Sequence, residues 1–181
     1  FRDPLLRFLA MPDLRALTEE DKKLIFASCF RANQATMIDA YPAYKVLQSW
    51  AAQFESDDAP GILYLSDQFF GDLLMWYHLT WLGETVRRGD TRIADWLAHG
   101  KAFSAVDRHA LLELIGFLIA GLIPRYRALA EAGKIELSTT PHYHPIAPLL
   151  LDFASARESW SEVKLPHCDN YPDGSARVQF H

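Results

Sequence analysis

Cysteine is scarce: only Cys29 and Cys168 occur in 181 residues. Two thiols so far apart form no disulfide framework, and they point weakly to a reducing compartment. Cys168 follows His167, but adjacent side chains rarely face each other, so no thiol–imidazole pair is read from them. Clustered positive charge is also missing. The net charge is -5 and no Lys/Arg run stands out, which argues against nucleic acid as a partner. Long apolar runs are missing too. The longest, Leu114–Ile123, is too short to span a bilayer and meets Pro124 at once. No signal-peptide pattern opens the chain. These absences describe an acidic, soluble, cytoplasmic-type protein with no membrane partner. There is no initiator Met, and Ser175–His181 reads as a helix that starts without an end. Both features lead us to expect an excerpt from a longer protein.

What is present is apolar and aromatic. Half of the residues are hydrophobic and 13% are aromatic, a composition that builds a core and argues against disorder. The rings can fill that core or line a sugar site, and composition does not separate the two.

Helix signals dominate. Thr18 ahead of Glu19, Glu20 and Asp21 predicts a helix start, running to about Asp39 before Pro42. Pro42 suits the first turn of a second helix, with Val46, Leu47, Trp50, Ala51 and Phe54 on one buried face. Ser56–Pro60 reads as a polar turn and Ile62–Leu65 as a short extended piece. Ser66 and Asp67 cap a predicted long helix to about Arg88, rich in rings. Thr91 opens a short helix that stops at Gly100. Ser104 caps a helix over about Ala105–Ala132, kinked near Pro124 and stopped by Gly133. Its apolar residues lie on more than one face, which predicts cover on several sides.

After Gly133 the period changes. In Lys134–Thr139 (KIELST), Ile135 and Leu137 alternate with Glu136 and Ser138, predicting one clear strand. Thr140–Pro145 reads as a stiff corner with prolines at both ends, Ile146–Ala156 as a helix, and Glu158–Gly174 as loop. A lone strand leaves its backbone groups unpaired. The pattern therefore predicts an α/β fold: a mostly helical fragment whose partner strands lie elsewhere.

Strand ends in parallel α/β folds carry ligands, which draws attention to Thr140, His142, Tyr143 and His144. The corner is either a binding site or an ordinary structural turn. His142 and His144, two residues apart, can share one face and ligate a divalent ion, but two such residues make a weak motif. Glu136 either orients a substrate hydroxyl or pairs in a structural salt bridge. Trp76, Tyr77 and Trp81 either stack on sugars or pack the core.

The stretch GKIELSTTPHYHPIAPLL, residues 133–150, strongly resembles a sequence region of glycoside hydrolase family 57, the α-glucan-active group. Three further segments resemble that family in the same order: ALTEEDKKLIFASCFRANQATMIDAYPAYKVL, LSDQFFGDLLMWYHLTWLGE and FSAVDRHALLELIGFLIAGLIPRYRALAEAGKIEL. The resemblance implies an incomplete (β/α)7 barrel and one partial catalytic domain over 1–181. Residues 1–132 are then mainly helical insert and barrel helices, and 133–156 the strand, the active-site corner and the next helix.

The resemblance also implies retaining chemistry on an α-glucan or oligosaccharide. A Glu attacks the anomeric carbon and an Asp serves as acid and then base. The family's nucleophile sits in a Trp-x-Pro-Glu-like motif, and no such stretch occurs here. We therefore expect the chain to hold neither catalytic carboxylate and to be inactive alone. The expected substrate-binding residues are Thr140, His142, His144, Trp76, Trp81 and Glu136, with no cofactor and no metal. Some family members carry Glu where His144 stands, which leaves that contact distinctive. The competing readings are a metal-dependent deacetylase-like module using His142 and His144, and a non-catalytic helical interaction module.

Overall fold

Local chemistry sets most helix boundaries. The carboxylate of Asp3 accepts from the N–H groups of Leu5 and Leu6 and starts α1 (Pro4–Leu9). Thr18 and Asp21 exchange side-chain and backbone hydrogen bonds, a capping box that opens α2 (Glu19–Cys29). Pro42 begins α3 (Pro42–Ala51), where its missing N–H costs nothing. Ser66 accepts from Phe69 N–H at 3.2 Å and caps α4 (Asp67–Trp81). After α5 (Glu84–Gly89), Asp90 caps α6 (Thr91–His99). Ser104 and Asp107 repeat the reciprocal arrangement at α7 (Ala105–Glu131), which carries Pro124 inside it.

The computed structural model describes residues 2–54, 60–138, 140 and 144–180. The chain divides into two compact units, residues 1–123 and 124–181. No helix among the described residues is long and apolar enough to cross a membrane.

The first unit is built around α4. Phe70, Leu73, Leu74, Met75 and Leu79 of this helix are fully buried. Each such side chain contributes roughly 1.5–3 kcal/mol when removed from water. A helix apolar all round must be covered all round, and α1, α2 and α3 pack against it. Trp76 stacks with Tyr44 at 6.0 Å and meets Tyr41 and Phe103. Tyr44 in turn donates its hydroxyl to the carbonyl of Cys29. Arg108 on α7 donates to the carbonyl of Met11, tying α7 to the turn after α1.

The second unit takes in the end of α7, where Gly133 adopts φ 66°. The N–H groups of Gly133 and Lys134 return to the carbonyls of Ala130 and Leu129, a complete Schellman ending. Further on, α8 (Ala147–Leu151) packs against α9 (Gly174–Phe180). A side chain at position 174 would collide with the Leu150 carbonyl, so the approach requires glycine.

The expected strand is not formed. Residues 135–138 have no regular structure, and no strand occurs among the described residues. Glu136, Leu137 and Ser138 are exposed. Alternation of side chains marks a segment able to lie in a sheet, but a strand exists only where a second backbone completes the ladder. The α/β reading, with its incomplete (β/α)7 barrel and a strand over 134–139, is therefore replaced by a helical architecture. Thr139 lies outside the described residues.

Smaller differences have local causes. α2 stops at Cys29 rather than near Asp39, because Asn33 caps a new π-helical turn, Gln34–Ile38, by accepting from Thr36 N–H. The predicted helix to Arg88 is two helices, since Leu82 and Gly83 take extended backbone. The piece expected to be extended at Ile62–Leu65 lies largely in a 3-10 helix, Pro60–Tyr64. The expected helix over Ile146–Ala156 is α8 followed by a 3-10 turn, Phe153–Glu158, restarted by Asp152. The cover expected on several sides of α7 is confined to its first half: Leu111 and Leu114 are buried, whereas Phe117 and Ile123 are 76% and 68% exposed.

Candidate functional site

The Gly133–Leu150 segment lies in the second unit. After Gly133 closes α7, residues 135–138 have no regular structure, and helix resumes at Ala147. Glu136, Thr140 and His144 are all exposed, and none has a side-chain partner among the described residues. His144 adopts φ 55°, the left-handed region that histidine visits more readily than bulky or branched residues. Pro145 follows and fixes the next φ. His142, with Pro141 and Tyr143, lies outside the described residues, so the geometry of the His142/His144 pair is not described. Among the described residues no group of three or more His, Cys, Asp or Glu side chains is arranged to hold a metal ion.

The two tryptophans belong to α4 in the first unit, and their environments differ sharply. Trp76 is 2% exposed and donates its indole N–H to the Gly100 carbonyl at 2.9 Å. Its ring is enclosed by other rings. Trp81, the last residue of α4, is 58% exposed and leans on Tyr77 at 6.2 Å. One face of an amphipathic ring is thus presented to water at a helix end.

A cavity of about 450 Å³ opens between α3, α4 and the Gly100–Ala102 turn. Leu47 and Phe69 form its apolar floor and Trp50 stands at its rim, 51% exposed. Helical spacing on α3 had grouped Trp50 with the buried face. The structure buries Leu47 and Ala51 but leaves Val46 and Trp50 at the edge. The available signal was the width of that apolar stripe, wider than one helix contact needs. A smaller cavity of about 200 Å³ adjoins Arg108, Asp13, Asp67 and Ser104.

Burial shifts several titratable groups of the first unit. Burial pushes the Cys29 thiol up and holds His78 below its ordinary value. His78 Nδ1 sits 2.8 Å from the Leu74 carbonyl one turn back. Burial also lowers Arg108, whose guanidinium serves the Met11 carbonyl at 2.8 Å and whose Nε has no partner among the described residues. Cys168 is exposed.

The sequence matches the family model described as Glycosyl hydrolase family 57 over residues 45–171, more than two thirds of the chain. That span takes in most of α3, all of α4 and the Gly133–Leu150 segment. No curated protein and no solved structure matches the chain.

Proposed function

The chain belongs to glycosyl hydrolase family 57, and we propose that it supplies a substrate-binding wall to a retaining hydrolase or transglycosidase acting on α-glucans. The family membership supports a carbohydrate substrate. The single observation that carries the finer reading is GKIELSTTPHYHPIAPLL, which lies inside the matched span.

Retaining glycoside chemistry needs two carboxyl groups about 5–5.5 Å apart: one attacks the anomeric carbon and one serves as acid and then base. The chain contains no Trp-x-Pro-Glu stretch. Its own carboxylates are therefore given neither role. What it contributes is positioning. The Thr140 hydroxyl both donates and accepts, and the His144 imidazole does so through its two nitrogens. His142 adds a second imidazole. Glu136, exposed and without a side-chain partner among the described residues, is suited to accept from a sugar hydroxyl. Trp81 offers a ring face to a pyranose, whereas Trp76 is enclosed. Holding a glycosyl unit in register lowers the entropic part of the chemical barrier.

The test uses the parent enzyme and the 181-residue chain side by side. The chain alone is expected to give no turnover of maltooligosaccharides. In the parent, Thr140→Ala and His144→Ala are expected to lower kcat/KM about tenfold each, equivalent to ~1.4 kcal/mol. Clear turnover by the chain, or parent variants with unchanged kcat/KM, would overturn the reading.

A further inference from the structure

We propose that the cavity between α3, α4 and the Gly100–Ala102 turn is an accessory binding site for a pyranose ring of an α-glucan, with Trp50 as its stacking platform. The proposal rests on the reading that α-glucans are the substrate class, and it adds a site apart from the Gly133–Leu150 segment.

The volume, about 450 Å³, lies within the range of small-molecule sites, which combine apolar walls with a few convergent polar groups. Trp50 occupies an unusual position for so large a ring. Its neighbours Leu47 and Ala51 are 5% and 1% exposed, yet Trp50 is 51% exposed and lines the cavity. Phe69 and Leu47 beneath it give a floor against which the C–H face of a sugar ring can lie.

The polar rim has unused capacity of the kind hydroxyls require. The Ser66 oxygen accepts from Phe69 N–H as a helix cap, which leaves its proton free to donate. The Gln68 amide donates to Asp72 at 2.8 Å and to the Phe103 carbonyl at 3.1 Å, and its carbonyl oxygen accepts from none of the described residues. The Lys101 ammonium is exposed and has no ion pair among the described residues. Asp72 differs from these. Its carboxylate accepts from Ala102 N–H, Phe103 N–H and Gln68, so it is spent on holding the turn. The cavity thus offers donors, one acceptor and a ring, without an open carboxylate to attract a cation. This set recognises a neutral polyhydroxylated ring.

The site is also built in advance. Gly100 adopts φ 74° and its carbonyl is held by Trp76, while Asp72 holds the next two N–H groups after Lys101. A turn fixed from both sides loses little freedom when a ligand arrives.

The test is an amide and indole NMR titration of the 181-residue chain with maltotetraose, with hexanoate as a second probe. Maltotetraose is expected to shift the Trp50 indole N–H and the amides of residues 100–102 in a saturable way. Trp50→Ala is expected to weaken that response at least tenfold, Trp50→Phe to keep most of it, and Trp160→Phe to leave it unchanged. Lys101→Ala should weaken it a few-fold. Dispersed spectra of each variant show that it has folded. Shifts confined to residues 140–146 would overturn the accessory site while leaving the α-glucan reading intact. Saturation by hexanoate but not by maltotetraose would overturn the ligand class. No shift at residues 100–102 with either probe would overturn the proposal outright, and the parent-enzyme assay would still decide the catalytic reading.

Discussion

Trp50 and Trp76 share a chemistry and differ in what surrounds them. Trp76 is closed in by Tyr41, Tyr44 and Phe103 and satisfied by the Gly100 carbonyl. Trp50 keeps half its surface in water. Spacing along a helix places both on apolar faces, and only the neighbouring elements decide which ring is free to meet a ligand. His78 shows the same dependence for charge. It is buried, and the cost of moving an imidazolium out of water lowers its pKa, opposed by its hydrogen bond to Leu74 and by the field of Asp3. In the unfolded chain an imidazole titrates near 6.5. Above that pH both states are neutral at this residue and the full stability is present. As pH falls below about 6.5 the unfolded state takes up a proton that the folded state resists, so stability is lost toward the folded pKa. Urea unfolding at pH 7.5 and 5.5 is expected to show a lower midpoint at pH 5.5. His78→Gln should reduce that difference, since a Gln does not titrate. An equal pH difference in both proteins would refute the role given to His78.

Helix ends were legible because capping is local. Thr18, Pro42, Ser66, Ser104, Gly100 and Gly133 each act through atoms within one turn, and the helices start or stop beside them. The interruption at Leu82–Gly83 was not legible, since a single Gly after a run of apolar residues is compatible with a continuing helix. Lys134–Thr139 failed for the opposite reason: its alternation is a statement about side chains, and pairing depends on a backbone that the segment does not contain. The corner at Thr140–Pro145 was read from its two prolines and from its resemblance to a family motif, and its residues 141–143 lie outside those described, while the Trp50 cavity needed three elements that sequence spacing does not bring together. Gly100 allows a direct check at this scale. Its φ of 74° is strained for a residue with a Cβ, and an added methyl would also touch Ala43 at 3.4 Å. The left-handed conformation alone costs an L-residue roughly 1–2 kcal/mol. Gly100→Ala is therefore expected to lower unfolding free energy by about 1–2 kcal/mol in urea titrations. A variant as stable as the parent chain would contradict the capping role.

Burial is distributed unevenly along the molecule. Among the described residues, the first unit holds all of the buried hydrophobic side chains, from Leu5 to Leu114, whereas Gly174 is the only buried residue of the second. Leu137, Ile146, Leu151, Trp160 and Phe180 of the second unit are each more than 45% exposed. Opening a segment exposes to water whatever it had buried, so the free energy of local opening follows the apolar surface each segment covers. The hydrogen bonds of α4 open only when the core around Phe70, Leu73 and Leu74 is lost. Those of α8 and α9 lie over little buried apolar surface and rely on short helices that are marginal by themselves. Native-state hydrogen exchange of the 181-residue chain is therefore expected to rank α4 amides slowest, near the global unfolding limit. The amides of residues 145–180 should exchange faster by several orders of magnitude, since each ~1.4 kcal/mol of opening free energy is a factor of ten. Protection in α8 and α9 equal to that of α4 would mean that the second unit has a core of its own, and the exposure of Leu151 and Ile146 would then require another explanation.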